Sequence, residues 1–552
     1  MPADRWHGLL PPRELWPERI YTLPEVRYPD VLNVSVELVD AHVAARRGDT
    51  MALVGAGQRL TYAALQARVN QAGNALVSLG VGPGDRVLLR FPNRPEMVAI
   101  WLAIQRIGAV GVSTMPMLRA RELAGIIDDA EPVACVVAAD LLDEIVRAWP
   151  QLACRPRLLV WGDLTTDPGL AWQPFHDLAA QASPVLEAHA TPRDEPAIIA
   201  YTSGSTGVPK GACHSASDML ASADTYARHV IRPTSADVFG GHPTLAFTYG
   251  LGGLLVFPLR FGASTVLLEA FTPEALLDLV ARERITVLFC AATTYRMLMQ
   301  VDGFESRFDL SSLRLAVSAG EPLPRPVADE WMRRTDIDVI DSLGSTEMFQ
   351  VFVCQRPGAI KPGATGLAVP GYEVRVVDER LADVPRGTPG LLAVRGPTGC
   401  RYWRKPERQA EYVRDGWNIP NDICVQDADG YIWYQCRNDD LIICAGHNIA
   451  GPEIEAVLLE HPAVLEVAVV ASPDPVKGQV PKAYVVLKPG VEGDETLAAA
   501  MQEHVRRELA AFKYPRRLEF VSSLPRTETG KIRRGELRTR ELAHAAGADH
   551  GT

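Results

Sequence analysis

The eleven residues Tyr201-Thr202-Ser203-Gly204-Ser205-Thr206-Gly207-Val208-Pro209-Lys210-Gly211 constrain this chain more than any other stretch. They follow an apolar run at 197–200 that reads as a buried strand and precede a periodic segment at about 215–229 that reads as a helix. The spacing therefore predicts a strand-loop-helix junction. Three glycines let the backbone turn with its N–H groups inward, Thr202, Ser203, Ser205 and Thr206 add hydroxyls, and Lys210 adds a cation. Together they make a cradle suited to polyphosphate oxygens. By composition alone an ordinary Gly/Ser surface loop fits as well. Spacing removes two other readings. A Walker loop needs Gly-Lys five residues after its first glycine, and Pro209 stands five after Gly204. The hydrolase pattern Gly-x-Ser-x-Gly fails because Ser203 occupies the first glycine position.

At 552 residues the chain is too long for one ordinary core, and 47% hydrophobic with 22% charged residues is a globular balance. A net charge of -11 with no long Lys/Arg run argues against a nucleic-acid partner. The opening residues hold no apolar signal core, and Arg260 interrupts the longest apolar stretch, at 251–259, well short of a membrane span. A cytoplasmic protein is expected. Nine scattered cysteines without Cys-x-x-Cys read as reduced, mostly structural thiols.

Residues 1–30, rich in proline and aromatics, suit an extended arm lying on the body. From residue 32 to about 190, short apolar strands alternate with amphipathic helices; Thr61 can cap one carrying Leu65, Val69, Ala72, Leu76 and Leu79, ended by Gly80. The alternation resumes near Val266 and runs to about residue 340. This βαβ rhythm predicts mostly parallel sheets covered by helices, with ligands at the carboxyl ends of strands. Beyond Gly366, Val/Tyr/Trp runs broken by Gly-Pro and Asp-Gly suggest antiparallel strands, and from Ile449 a smaller unit begins. The fold class is α/β: a large N-terminal domain of several subdomains with an antiparallel portion, and a small α+β C-terminal lid.

The string at 201–211 closely resembles the phosphate loop of the adenylate-forming acyl- and aryl-CoA synthetases, and further motifs follow in that family's order over nearly the whole chain. Asp341-Ser342-Leu343-Gly344-Ser345-Thr346-Glu347 follows a strand at 337–340. The resemblance implies that Thr346 touches the α-phosphate, that Glu347 holds Mg²⁺, and that the backbone before them lines the adenine and acyl sites. Standing alone, the segment also suits a capped turn. Gly320 and Glu321 are carried as nucleotide contacts on the same basis. Asp422 resembles the aspartate that takes both ribose hydroxyls in an aromatic-x-x-Thr-Gly-Asp motif, but Pro420 and Asn421 replace Thr and Gly. Asn is the non-glycine residue that best tolerates positive φ, so the turn can survive. Arg437 matches an arginine that reaches the ribose, and Asp439 matches the hinge. Thr529-Gly530-Lys531 resembles the catalytic-lysine loop, implying that the Lys531 ammonium orients the carboxylate against the α-phosphorus. Gly446 and His447 align with the segment that enters the site for thioester formation.

Ala246-Phe247-Thr248-Tyr249-Gly250 and Gly344-Ser345-Thr346-Glu347-Met348 look like the benzoate and 2-aminobenzoate branch, with Phe247 at a gating position. Ala246, Phe247, Tyr249, Gly250, Gly344 and Gln350 are the expected acid pocket, and Gln350 leaves the ring substituent open. The resemblance implies ATP, Mg²⁺ and coenzyme A as cosubstrates, a small carboxylate as partner, and leaves room for a homodimer. Expected boundaries are 1–436 for the ATP- and acyl-binding domain, 437–439 for the hinge and 440–552 for the lid. The expected reaction makes an acyl-adenylate and then an acyl-CoA. A carrier-protein thiol as acceptor, an alicyclic or medium-chain acid, and a silent nucleotide binder remain as alternatives.

Overall fold

In a computed structural model of the protein, residues 5–202, 210–444, 447–474, 477–509, 513–527 and 531–548 are described. A seven-stranded sheet runs in the order Trp172–Pro174, Arg157–Trp161, Ala134–Ala138, Arg86–Arg90, Val110–Thr114, Pro196–Thr202 and Lys210–Ser215. Its pairs are parallel until the last, which is antiparallel. A second sheet has nine strands. Its parallel centre includes Val238–Gly241, Val287–Cys290, Leu315–Ala319 and Val339–Gly344, and its edges are antiparallel. An antiparallel sheet of six strands spans residues 373–437, and a five-stranded sheet uses residues 442–520. The parallel, helix-covered sheets follow from near-continuous apolar strands such as Leu315–Ala319, buried along its whole length.

Local signals act where the sequence placed them. Thr61 Oγ1 accepts the Ala64 N–H at 3.2 Å and starts the helix Tyr62–Ser78, and Gly80 beyond its end has φ +83°. The helix Pro95–Arg106 is apolar nearly all round and touches strands of both large sheets, so it serves as shared core between them. All nine cysteines are free; only Cys154 is not fully buried. Burial pushes the thiols of Cys135, Cys213 and Cys354 up to about 12. Among the described residues, no helix is long and apolar enough to cross a membrane.

One expectation needs correction. The phosphate loop does not lead directly into a helix: Lys210–Ser215 is a strand, pairing antiparallel from Thr202↔Lys210 to Pro196↔Ser215. From Gly211 on its residues are buried on both faces, so it carries no apolar/polar alternation to mark it as a strand, while the helix read at about 215–229 is present as Ala216–Ser222 continued by Ala223–Ile231. The helix starts afterwards at Ala216–Ser222, where Ser215 and Asp218 cap each other through Oγ and carboxylate.

Asp218 also carries a charge role. It is fully buried between Arg19, at 2.8 Å, and Arg401, at 3.3 Å, itself 1% exposed. These pairs tie the N-terminal arm and the segment at 400–403 to the helix after the phosphate loop. Removing the carboxylate strands two arginines away from water. Asp218→Ala is expected to cost about 3–5 kcal/mol, read as a lower thermal unfolding midpoint, whereas a change at the exposed pair Arg282–Asp278 should leave the midpoint unmoved.

Candidate active site

The carboxyl ends of strands from both large sheets meet the small domain around a cavity of about 480 Å³. Thr202 and Thr114 enter from the first sheet, and Ala319, Gly320 and Gly344 from the second. Arg437, Asp439, Thr527 and Lys531 close it from the other side. Two strand sets ending at one crevice are the expected place for a ligand in such sheets.

Lys531 is held by a short return of chain. Its N–H donates to Thr527 Oγ1 at 3.1 Å, Thr527 N–H donates to its carbonyl at 2.7 Å, and Arg526 bridges Ile532. The ammonium stands 5.7 Å from the Phe247 ring centroid, within reach of a cation–π attraction. It also lies against Gly320, where a Cβ would sit 3.9 Å from Nζ. Burial lowers its pKa and Arg437 adds to that, while Glu321, Asp422 and Glu347 oppose it. The Lys531 amine thus faces mainly acidic neighbours.

Thr346 and Glu347 line the same cavity. The Thr346 carbonyl accepts from His214 Nε2 at 2.7 Å and from Phe349 N–H at 3.0 Å. Glu347 Oε1 accepts from the Tyr402 hydroxyl at 2.8 Å. Phe349 follows at φ +68°, a buried non-glycine residue in left-handed backbone, which turns the chain sharply behind Thr346 and Glu347. Asp422, 4% exposed, receives Arg437 Nη1 at 3.3 Å. Burial raises its pKa to about 6 against the opposing Arg437. Arg437 also donates to the Pro420 carbonyl at 2.7 Å and lies 3.7 Å from Asp439. Asn421 has φ +66°, so the turn that a glycine would make is made by Asn.

The other expected residues divide. Ala246, Phe247, Tyr249 and Gln350 join Gly344 in the cavity wall. The Tyr249 hydroxyl donates to the carbonyls of Cys290, at 3.0 Å, and Val317, at 3.2 Å. Gln350 Nε2 donates to the carbonyls of Thr248 and Tyr249 at 3.0 and 3.1 Å. Both polar ends are thus committed to backbone and leave a wall rather than a reader of substituents. Gly250 is not in the wall; a Cβ there would meet the Thr244 carbonyl. The Ser342 hydroxyl turns to Tyr226 at 3.0 Å, Leu343 packs on the main core, and Glu321 accepts from Thr293 N–H at 2.5 Å. Asp341 accepts from Ser342 N–H at 3.0 Å, and burial raises its pKa to about 8. Lys210 pairs with Thr202, pinning the ends of the phosphate loop. Ser203, Gly204, Ser205, Thr206, Gly207 and Gly446 lie outside the described residues; His447 opens the strand His447–Ile449. Sequence reasoning missed His214, Tyr402 and Tyr412, whose hydroxyl is 3.5 Å from Ser345 Oγ. No spacing rule ties residues so far apart in sequence.

Residues 40–403 match the family described as AMP-binding enzyme, and residues 453–531 match its C-terminal domain. The chain belongs to the AMP-binding enzyme family. The benzoate–CoA ligase of Thauera aromatica is 34% identical over 522 residues, covering 94% of this chain and 98% of that protein. The 3-hydroxybenzoate–CoA ligase of Aromatoleum sp. (strain CIB) is 33% identical, covering 93% and 97%. The crystal structure of the anthranilate CoA ligase AuaEII in complex with anthranoyl-AMP superposes with a TM-score of 0.89 at 33% identity, covering 95% of this chain and all of that one. These matches agree with the sheets described above: this member has the fold of the adenylate-forming enzymes, with a large mixed α/β body and a small C-terminal domain.

Two outcomes follow from the backbone and the buried acid. Asn421→Gly should leave stability unchanged or slightly higher, while Asn421→Val, forced to positive φ, should lose about 1–2 kcal/mol, compared by thermal unfolding. Asp341 has a folded-state pKa above its ordinary 3.8, so its contribution to stability is fully present below that value and is lost as pH rises through about 8. Asp341→Asn should therefore flatten the fall in unfolding midpoint between about pH 4 and pH 8.

Proposed function

We propose that this AMP-forming CoA ligase joins an aromatic carboxylate of the benzoate or 2-aminobenzoate type to coenzyme A through an acyl-adenylate, releasing pyrophosphate and then AMP. The observation that carries the choice of acid is the depth of the pocket. Behind Ala246 and Phe247, toward Trp101 and Leu251, the remaining space is only about 10 Å³. That is about one water-sized probe, so an alkyl tail finds no room on that side, and the cavity's other apolar lining includes Met115, Leu118 and Ile126. The wall residues Phe247, Tyr249 and Gly344 suit a flat, compact ring. The similarity to ligases named for benzoate, 3-hydroxybenzoate and anthranilate supports the same reading.

In this reading residues 1–436 are the body, 437–439 the hinge at Asp439, and 440–552 the lid. Lys531 orients the acid's carboxylate beside the α-phosphate and offsets negative charge as its oxygen displaces pyrophosphate. Thr346 contacts the same phosphate. Asp422 and Arg437 take the ribose, with Gly320, Asp341 and Leu343 flanking the nucleotide and the phosphate loop holding the β- and γ-phosphates. CoA then attacks the acyl carbon, and AMP leaves. Gly446 and His447 serve that second step after the lid has turned about Asp439. Among the described residues no group of three or more His, Cys, Asp or Glu could hold a metal. The site instead suits Mg²⁺ shared with ATP phosphates, since Glu347 offers one hard oxygen donor to the cavity. When bound, Mg²⁺ would spread the charge of the phosphate chain. ATP and CoA as cosubstrates fit a cytoplasmic enzyme.

The test is AMP release with MgATP across benzoate, 2-aminobenzoate, hydroxybenzoates, cyclohexanecarboxylate and fatty acids, with and without CoA. CoA-dependent AMP from ring acids, and little from fatty acids, is the expected result. Pyrophosphate exchange without CoA-dependent turnover would move the acceptor to a carrier-protein thiol, and preference for fatty acids would overturn the pocket reading. Lys531→Ala should lower adenylation by at least about 100-fold while CoA attack on supplied acyl-adenylate survives. Equal loss of both steps would remove its assigned role.

A further inference from the structure

The residue that holds Glu347 in place comes from a part of the chain to which no step of the reaction has been assigned. Residues 401–403 run beside the strand Lys210–Ser215. Ala212 bridges Tyr402, Cys213 N–H donates to the Arg401 carbonyl at 2.8 Å, and Trp403 N–H donates to the Gly211 carbonyl at 2.8 Å. Tyr402 is thereby fixed, through its backbone, to the strand that leaves the phosphate loop. Its N–H is further held by Gln409 Oε1 at 2.8 Å, and Gln409 Nε2 reaches the Cys400 carbonyl at 2.8 Å. The ring is 3% exposed and packs edge-on against Tyr412 at 5.7 Å. From this rigid seat the hydroxyl donates to Glu347 Oε1 at 2.8 Å.

We infer that Tyr402 is the positioning residue for the Glu347 carboxylate, presenting it to the divalent cation of MgATP and keeping it in register with the phosphate loop. The inference rests on the ligase reading for its ligand, not for its geometry. A free glutamate side chain samples many rotamers, and metal binding must order it. One hydrogen bond to Oε1 removes much of that freedom beforehand and leaves the other oxygen for the cation. A carboxylate oxygen accepts, so the tyrosine hydroxyl is the donor. Because the same residue is stitched to the chain at 211–213, a shift of the phosphate loop's outgoing strand would carry the carboxylate with it. Hydrogen-bond partners behind a metal ligand are worth about 10- to 100-fold in metal affinity in well-studied sites.

The test is Tyr402→Phe in the full chain, which deletes one oxygen and keeps the ring. Mn²⁺ binding with a non-hydrolysable ATP analogue, followed by electron paramagnetic resonance, should weaken about 10-fold or more. The Mg²⁺ concentration giving half-maximal pyrophosphate exchange should rise by a similar factor, with most of the maximal rate recovered at high Mg²⁺. CoA attack on supplied acyl-adenylate, which needs no MgATP, should keep its wild-type rate. Adding Tyr402→Phe to Glu347→Gln should weaken Mn²⁺ binding no further, since the tyrosine acts through that carboxylate. Unchanged Mn²⁺ binding, or an equal loss of both half-reactions with a lowered unfolding midpoint, would overturn the inference and make Tyr402 a packing residue. If the wild type released no AMP with any acid, the ligase reading would fail by itself, and the Mn²⁺ comparison would still decide the role of Tyr402.

Discussion

The strand Lys210–Ser215 is paired on both edges, by Pro196–Thr202 on one side and by residues 401–403 on the other, and the candidate site hangs on that arrangement. Its first residue closes the phosphate loop against Thr202. His214, within it, holds the Thr346 carbonyl, and Ser215 at its end caps the next helix. Tyr402, bound alongside, holds Glu347. Backbone hydrogen bonds within a buried ladder are individually modest but expensive to leave unmade. A strand secured on both sides therefore gives polar side chains a fixed origin, which a loop could not.

Buried ionisable groups cluster around this frame, and their signs are arranged. His214, with no exposure and a pKa lowered to about 4 by burial, stays neutral and donates through Nε2. Arg19 and Arg401 are balanced by Asp218. Burial raises Asp422 and Asp341, neither of which lines the cavity, and lowers Lys531, which does. Each direction shows a charge that a dry site disfavours in the absence of a compensating partner. A polyanionic nucleotide and its cation would supply several of those partners at once.

Much of this was legible in residues alone. The phosphate-loop string and the βαβ rhythm rest on local spacing, whereas the Thr346–Glu347 pair and the lysine near the C-terminus are marked by resemblance to family motifs; the cavity wall holds Thr346, Glu347 and Lys531 together. The tolerance of Asn421 for positive φ was also readable, because it depends on one residue's sterics. Three features were not readable. The strand at 210–215 was hidden because it is buried on both faces and shows no apolar/polar alternation. Ser342, Tyr249 and Gln350 were placed near the ligand by position, but their polar atoms are bound to protein partners that only the tertiary structure reveals. The links from His214 and Tyr402 join segments separated by 132 and 55 residues, beyond the range of any local pattern.

The buried cysteines acquire a meaning from the proposed chemistry. An acyl-adenylate is an acylating agent, and a thiolate beside it would be a competing nucleophile. Cys213 lies on the strand leaving the phosphate loop and Cys400 lies beside Tyr402, yet burial keeps both as protonated thiols. Cys290, at the end of a strand in the second sheet, is likewise held protonated by burial. Sulfur can therefore fill the core around the site without offering itself to the activated acid, and the reactive thiol is the one that arrives on coenzyme A.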